Sequence, residues 1–232
     1  MALPKTLPGI LLIASVSLSA TLTFQVNHPP VVKIMSPAAN TTVAPGAQLA
    51  YDIQVSDSED GDTRYDEINT KEVLLELTRL TPGAPVPAPN SNSNIGLDIM
   101  AANNCFNCHL FDQKLLGPSF AEIAARYPAT KANVDTLSRR VREGSSGIWP
   151  GTEKMPSHFE LPATAIRSTV LWILRNGVSQ DRLYYNGATG LLRLPPDKRG
   201  TWLLLASYTD HGPKDGSGRR LKGSDRITIT VK

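Results

Sequence analysis

Cys105-Phe106-Asn107-Cys108-His109 is the stretch whose residue types and spacing can do chemistry. Two thiols three positions apart can each join one vinyl group of a haem. The histidine that follows can place its imidazole on the iron. C-x-x-C-H is the attachment pattern of haem c. The chain has 2 cysteines, and both are in this stretch, so no disulfide elsewhere competes for them. Other chemistries fit the pair poorly. A four-cysteine zinc site is impossible. A Cys₂His₂ site needs a later H-x₃₋₅-H pair, which His28, His109, His158 and His211 do not form. A thioredoxin-like C-x-x-C needs a βαβ setting, and none surrounds these residues.

Iron in electron-carrying haem proteins commonly takes a methionine as its second axial ligand. Of the 4 methionines, Met1 lies in the expected N-terminal leader and Met35 in a strand-like run far upstream. Met100 stands at helical spacing from Gly96 and reads as packing. Met155 stands in Lys154-Met155-Pro156-Ser157-His158, where Gly and Pro neighbours describe a loop rather than a core. Met155 is the expected sixth ligand, with His158 its rival in the same loop.

The stretch from Cys105 to Gly177 resembles a small class I cytochrome c of the bacterial c551 type. The resemblance is carried, in the family's order, by Asn104 through His109 and Leu116-Gly117-Pro118-Ser119-Phe120. It continues through Ile123-Ala124-Ala125-Arg126-Tyr127, Glu143-Gly144-Ser145-Ser146-Gly147-Ile148-Trp149 and Met155-Pro156. It covers about a third of the chain. It implies one haem c held covalently by Cys105 and Cys108, with His109 and Met155 as axial ligands. It also implies that Pro118 packs near His109, its carbonyl orienting the ring N–H, and that Trp149 lies beside the haem edge near a propionate. The family often has Gly after that Trp; here Pro150 intervenes before Gly151.

Helices must position these residues. Gly96–Asn103 runs into the haem motif, and the resemblance implies that Gly96 and Met100 cross the last helix near Trp172. Ser119-x-x-Glu122 is a capping box for a helix ending at Tyr127, before Pro128. Asn133–Glu143 places Leu137 and Val141 four apart, and Gly144 stops it. Pro162–Asn176 begins with proline, ends at Gly177 and puts Ile166, Val170 and Ile173 on one stripe.

The flanks read differently. Val31, Val32 and Ile34 form a short β-branched run. In Gln48–Val55 the residues Leu49, Tyr51, Ile53 and Val55 share one face, the period of a strand. Glu72–Leu80 reads as a strand with a helical alternative. Trp202–Tyr208 and Arg226–Val231 read as strands, joined by a Gly-, Lys- and Arg-rich connection from Asp210 to Asp225. The acidic stretch Ser56–Asp62 reads as a solvated turn, with a calcium loop as the alternative that Ser56 and Ser58 disfavour, since they stand at the first two ligand positions of that pattern.

Gly200–Asp210 followed by Ile227–Val231 resembles the last two strands of a PKD or immunoglobulin-like sandwich, and the N-terminal flank resembles its first strands. Neither flank has enough strands to cover two faces. The expected fold is therefore multidomain α and β, an all-α cytochrome c domain (95–180) inserted in an immunoglobulin/PKD-like β-sandwich. The sandwich is discontinuous (28–80 and 184–232), and a Pro-rich linker (81–94) leads into the insertion. The cytochrome ends are expected to lie close together, with a helical core that does not depend on the sandwich. Acidic side chains outnumber basic ones over residues 1–94 and basic outnumber acidic over 181–232, which is consistent with the flanks pairing.

With 41% hydrophobic residues and a net charge of +3, the chain gives no argument for nucleic acid as a partner. Lys5 precedes an apolar run from Leu7 to about Phe24, which resembles a secretory signal over residues 1–26. An uncleaved anchor is the alternative, and membrane association is expected only in that case. The expected role is a periplasmic or exported electron carrier, not an enzyme. The alternatives are a haem-based sensor or small-ligand binder and an interaction module whose sandwich is the active part. Sandwich-plus-cytochrome is similar to modules attached to bacterial periplasmic sugar dehydrogenases. That likeness implies a sugar dehydrogenase as donor and a separate terminal acceptor as redox partners.

Overall fold

The computed structural model describes residues 26–83, 95–213 and 218–232. The expected leader up to Gln25 and the linker from 84 to 94 lie outside the described residues. Among the described residues no helix is long and apolar enough to cross a membrane.

The period-two pattern of the flanks becomes two sheets. β1 (Val31–Ser36), β3 (Gln48–Asp57) and β4 (Gly61–Asp62) form one, with β7 (Thr189–Arg193) also on β3. The other runs β2 (Thr42–Val43), β9 (Lys222–Val231), β8 (Gly200–Thr209), β5 (Leu74–Arg79), β6 (Arg182–Asn186). Strands from before and after the helical segment share both sheets. β5 pairs with β6 and β8, with Leu77 facing Leu183 and Leu204. β3 pairs with β7, Leu49 facing Leu192. The inner faces of the two sheets bury one cluster that includes Tyr51, Ile53, Leu75, Leu77, Trp202 and Ile229. In β3 the residues Tyr51, Ile53 and Val55 are buried and their neighbours are not, as alternation requires.

Glu72–Leu80 contains a strand as expected (β5, Leu74–Arg79), and two other readings change. Glu72–Leu80 resisted a clean alternation because β5 is buried on both faces: Leu75 and Leu77 point into the inter-sheet core and Leu74 into the helices. Residues 182–193, for which the sequence offered no strand reading, form β6 and β7, which do not pair with each other but join different sheets. β9 begins at Lys222, not Arg226, because pairing with β8 (Thr209 with Lys222, Ala206 with Asp225) carries a polar segment into the ladder. The acidic turn is held by its own carboxylates: Asp57 Oδ1 accepts from the amides of Glu59 (2.9 Å) and Asp60 (2.8 Å). No group of three or more His, Cys, Asp or Glu among the described residues could hold a metal ion.

The helical segment comprises α1 (Ile95–Ala102), α2 (Phe120–Arg126), α3 (Lys131–Glu143) and α4 (Ala163–Asn176). The capping box of α2 is complete: Glu122 N donates to Ser119 Oγ (3.1 Å) and Ser119 N donates to Glu122 Oε2 (2.7 Å). α3 starts before Asn133 because Thr130 caps it, accepting from Asn133 N at 3.3 Å. α1 crosses α4 at Gly96, where a Cβ would lie 2.5 Å from Trp172 Cβ. Val134, Ile166, Val170 and Leu174 pack α3 onto α4.

The helical core is not self-contained. Leu74 of β5 and Tyr184 of β6 belong to the same buried cluster as Met100, Phe106, Phe111 and Trp172. The Tyr184 ring meets Trp172 edge-on at 4.9 Å and stacks on Phe111 at 5.5 Å. Arg193–Asp112 and Lys222–Asp98 ion pairs, both 3.1 Å, tie the sheets to the helical segment.

Candidate haem site

Cys105–Asn107 forms a single 3₁₀ turn, entered through Asn104 in the left-handed region (φ 57°). The amides of Cys108 (3.3 Å) and His109 (3.0 Å) donate back to Cys105 O, so both thiols and the imidazole project from one tight unit. Burial, reinforced by the Cys108 neighbour, pushes the Cys105 thiol up to about 11, so it stays protonated at neutral pH.

His109 Nδ1 lies 2.6 Å from the carbonyl oxygen of Pro118. A carbonyl only accepts, so Nδ1 carries the proton and Nε2 keeps its lone pair for a ligand bond. Burial pushes the His109 pKa down, against the pull of that carbonyl, which favours the neutral ring. Phe120 stacks on the imidazole at 5.4 Å with 20° between planes. Gly117 passes so close that a Cβ there would lie 2.4 Å from His109 Cε1. The ring is therefore fixed by a hydrogen bond, a stacked face and a backbone wall.

Met155 lies in the loop after α3, held by a two-bond bridge: Met155 N donates to Ser145 O (2.9 Å) and Ser145 N to Met155 O (3.2 Å). The loop turns at Gly144, with φ 82°, where a Cβ would lie 2.8 Å from Met155 O. His158 is in the same loop. Its amide reaches the carbonyls at the end of α3 (Val141 and Arg142, both 3.1 Å), and its Nδ1 is 2.9 Å from Glu160 Oε1. Met100 is fully buried in the helical core.

Cys105, Cys108, His109, Pro118, Trp149 and Met155 all line one cavity, and so do His158 and Met100. Its walls are mainly apolar, with Ile123, Leu137, Val141, Ile166, Val170 and Ile173 supplied by α2, α3 and α4. The Thr169 hydroxyl on the same wall is buried without a hydrogen-bond partner in the structure. Trp149 is backed by Arg126, whose guanidinium sits 4.6 Å from the ring centroid, and by Tyr127 edge-on at 6.4 Å. Pro150 is accommodated in a turn closed by Thr152 Oγ1 on Trp149 O (2.9 Å), and Lys114 Nζ donates to Pro150 O at 2.8 Å. Arg140, bound to the Tyr127 hydroxyl at 3.0 Å, also lines the cavity. It was not singled out in the sequence, because a charged residue in a run of arginines reads as a solvated helix face. A porphyrin fits this donor set: two thiols and a neutral imidazole on one turn, a thioether on a braced loop, and apolar walls between helices.

No family model matches the chain. Among curated proteins it is similar to cytochrome c-551 of Azotobacter vinelandii, 35% identical over 79 residues, which are 34% of this chain and 94% of that protein. It is also similar to cytochrome c-552 of Nitrosomonas europaea, 32% identical over 77 residues, 33% of this chain and 74% of that protein. The crystal structure of wild-type Nitrosomonas europaea cytochrome c552 aligns over 33% of this chain and 94% of that one, with a TM-score of 0.31 and 32% identity.

Proposed function

We propose, from the premise that this chain belongs over a third of its length to the cytochrome c-551/c-552 family, that it is an exported one-electron carrier with a single haem c. When bound, the haem supplies an Fe(III)/Fe(II) couple. The chain's own residues do the rest. Cys105 and Cys108 hold the group covalently. His109, its Nδ1–H held on Pro118 O, would offer Nε2 to the iron, and Met155 would offer its thioether. Trp149, with Arg126 behind it, borders the haem edge. Apolar walls exclude water and so favour the less charged ferrous state.

The observation that carries this reading is the pairing of a tautomer-locked His109 with a Met155 braced through Ser145 on a single apolar cavity. A braced methionine favours a carrier over a sensor, whose sixth ligand must leave readily. The test is a haem stain of a denaturing gel with absorption spectra of the exported protein. A stained band and a six-coordinate low-spin spectrum are expected, with slow carbon monoxide binding to the native ferrous form. A colourless, correctly exported protein would overturn the reading.

The β flanks form one discontinuous PKD/immunoglobulin-like domain, 28–80 with 184–232, around a cytochrome domain at 95–180. This is supported by strands from both flanks burying a common cluster, and β6 extends the second half to Arg182. The electron donor is a periplasmic sugar dehydrogenase and the acceptor a separate redox protein. This partner assignment rests on the resemblance of the two-domain arrangement to dehydrogenase-attached modules. Purified chain in the oxidised state should be reduced by such an enzyme only in the presence of its sugar.

A further inference from the structure

The connection after β8 carries a histidine that the haem site does not use. His211 sits between two carboxylates from different parts of the chain: Nδ1 is 3.2 Å from Asp60 Oδ2 and Nε2 is 3.0 Å from Glu72 Oε2. Its backbone is fixed as well. His211 N donates to Asp60 Oδ2 at 2.9 Å. The fully buried Asp210 closes the loop by accepting from Gly212 N (3.0 Å) and Leu221 N (2.7 Å).

Glu72 is only 6% exposed, and its contacts lead to the haem-attachment turn. Its Oε1 accepts from Asn69 Nδ2 at 3.2 Å, and the same Asn69 amide donates to Asn107 Oδ1 at 3.2 Å. Asn107 lies between Cys105 and Cys108. An unbroken chain of contacts, His211–Glu72–Asn69–Asn107, therefore joins a titratable ring in the β-sheet part to the turn that carries the proximal histidine.

We propose that His211 is a proton-linked tuning site for the centre, binding a proton more tightly when the centre is reduced. It rests on the haem c reading above. The electrostatics fix the sign. A protonated His211 balances the buried Glu72 carboxylate. Loss of that proton leaves an additional unit of negative charge beside the attachment turn, which stabilises the ferric over the ferrous state. By linkage, an electron arriving from any one-electron donor raises the proton affinity of His211, and each full reduction is accompanied by uptake of a fraction of a proton from solvent at that ring. Glu72 and Asp60 hold the proton on His211 above the ordinary histidine range, opposed by burial and by Arg220.

The other groups facing the ring do not replace it as the titrating one. From β8, Tyr208 packs edge-on at 6.4 Å and donates to Asp60 Oδ2 at 2.8 Å. Burial and that carboxylate push its hydroxyl far above the neutral range. Arg220 donates to the carbonyls of Asp210 and Thr209. Asp57, beyond Asp60, is occupied by the amides of the acidic turn.

The test is a potentiometric titration of the full-length holoprotein from about pH 5 to about pH 9, beside His211→Gln, which keeps a side-chain donor but does not titrate. The wild-type potential should fall with rising pH through a step above the ordinary histidine pKa, and the step should vanish in the variant. Identical curves for the two proteins would overturn the proposal, and so would a step that survives unchanged while the rest of the curve shifts. A second measurement does not depend on the variant folding: the pH midpoint of the His211 ring-proton resonance in the wild type should be higher in the ferrous than in the ferric protein. Equal midpoints would also overturn it. A protein that comes out colourless fails the haem reading instead, so the two failures are distinguishable.

Discussion

The ring of His109 is held from three sides. Pro118 O, the Phe120 face and the Gly117 backbone all contact its ring. Gly117→Ala should push the imidazole off Pro118, because no Cβ tolerates an approach of 2.4 Å. We expect a loss of stability of about 1–3 kcal/mol, read by denaturant unfolding, together with partial loss of the low-spin spectrum. Unchanged stability and spectrum would show that the wall is not rigid. At Met155 the rivals separate cleanly. Met155→His should retain six-coordinate iron at a lower potential, since the thioether favours the ferrous state. Met155→Ala should abolish the thioether-to-iron absorption band; its survival would move the assignment to Met100. The attachment turn and the loop position of Met155 on the cavity were legible because spacing and loop punctuation announce them. Arg140, Gly117 as a ring wall and Tyr184 were not, because nothing local distinguishes a cavity-facing arginine, a glycine pressed by a ring or a strand tyrosine from its ordinary counterparts.

Individual elements are held by a few bonds each. Ser119 closes both halves of the α2 capping box beside the proximal residues, so Ser119→Ala should cost about 1 kcal/mol in thermal or denaturant unfolding, with little change in ligation. No measurable cost would mean that water replaces the cap. The β8–β9 connection adds a pH dependence. The folded pKa of His211 is raised, chiefly by the Glu72 carboxylate 3.0 Å from its ring. The stabilisation is therefore fully present below the unfolded value near 6.5 and is lost as pH rises through the higher folded value. Unfolding midpoints should decline across that window in the wild type and stay flatter in His211→Gln. Helix ends were readable to within two residues because caps, prolines and glycines are local signals. Strands were less so. β5 hides its alternation by being buried on both faces, β6 and β7 belong to different sheets, and the polar start of β9 is ordered by its partner.

At the scale of the molecule, the helical domain leans on the sheets. A helical core independent of the sandwich is the simplest expectation from sequence, because each helix carries its own apolar stripe. The structure instead shows Leu74 and Tyr184 completing the cluster around Phe111 and Trp172. Tyr184→Ala should therefore destabilise the helical domain by about 3–5 kcal/mol, as deletion of a buried aromatic does, and a fragment of residues 95–180 should unfold at lower denaturant than the same residues in the full chain. Equal midpoints would mean that the interface is energetically idle. All of this presupposes a centre at Cys105–His109 with Met155 on the iron. The most direct measurement is the absorption spectrum of the exported full-length protein beside Met155→Ala, each with haem confirmed on a denaturing gel. Met155 ligation of a covalent haem requires haem in both proteins and the thioether-to-iron band in the wild type only. Covalent haem with that band intact in the variant, or no covalent haem at all, would contradict it.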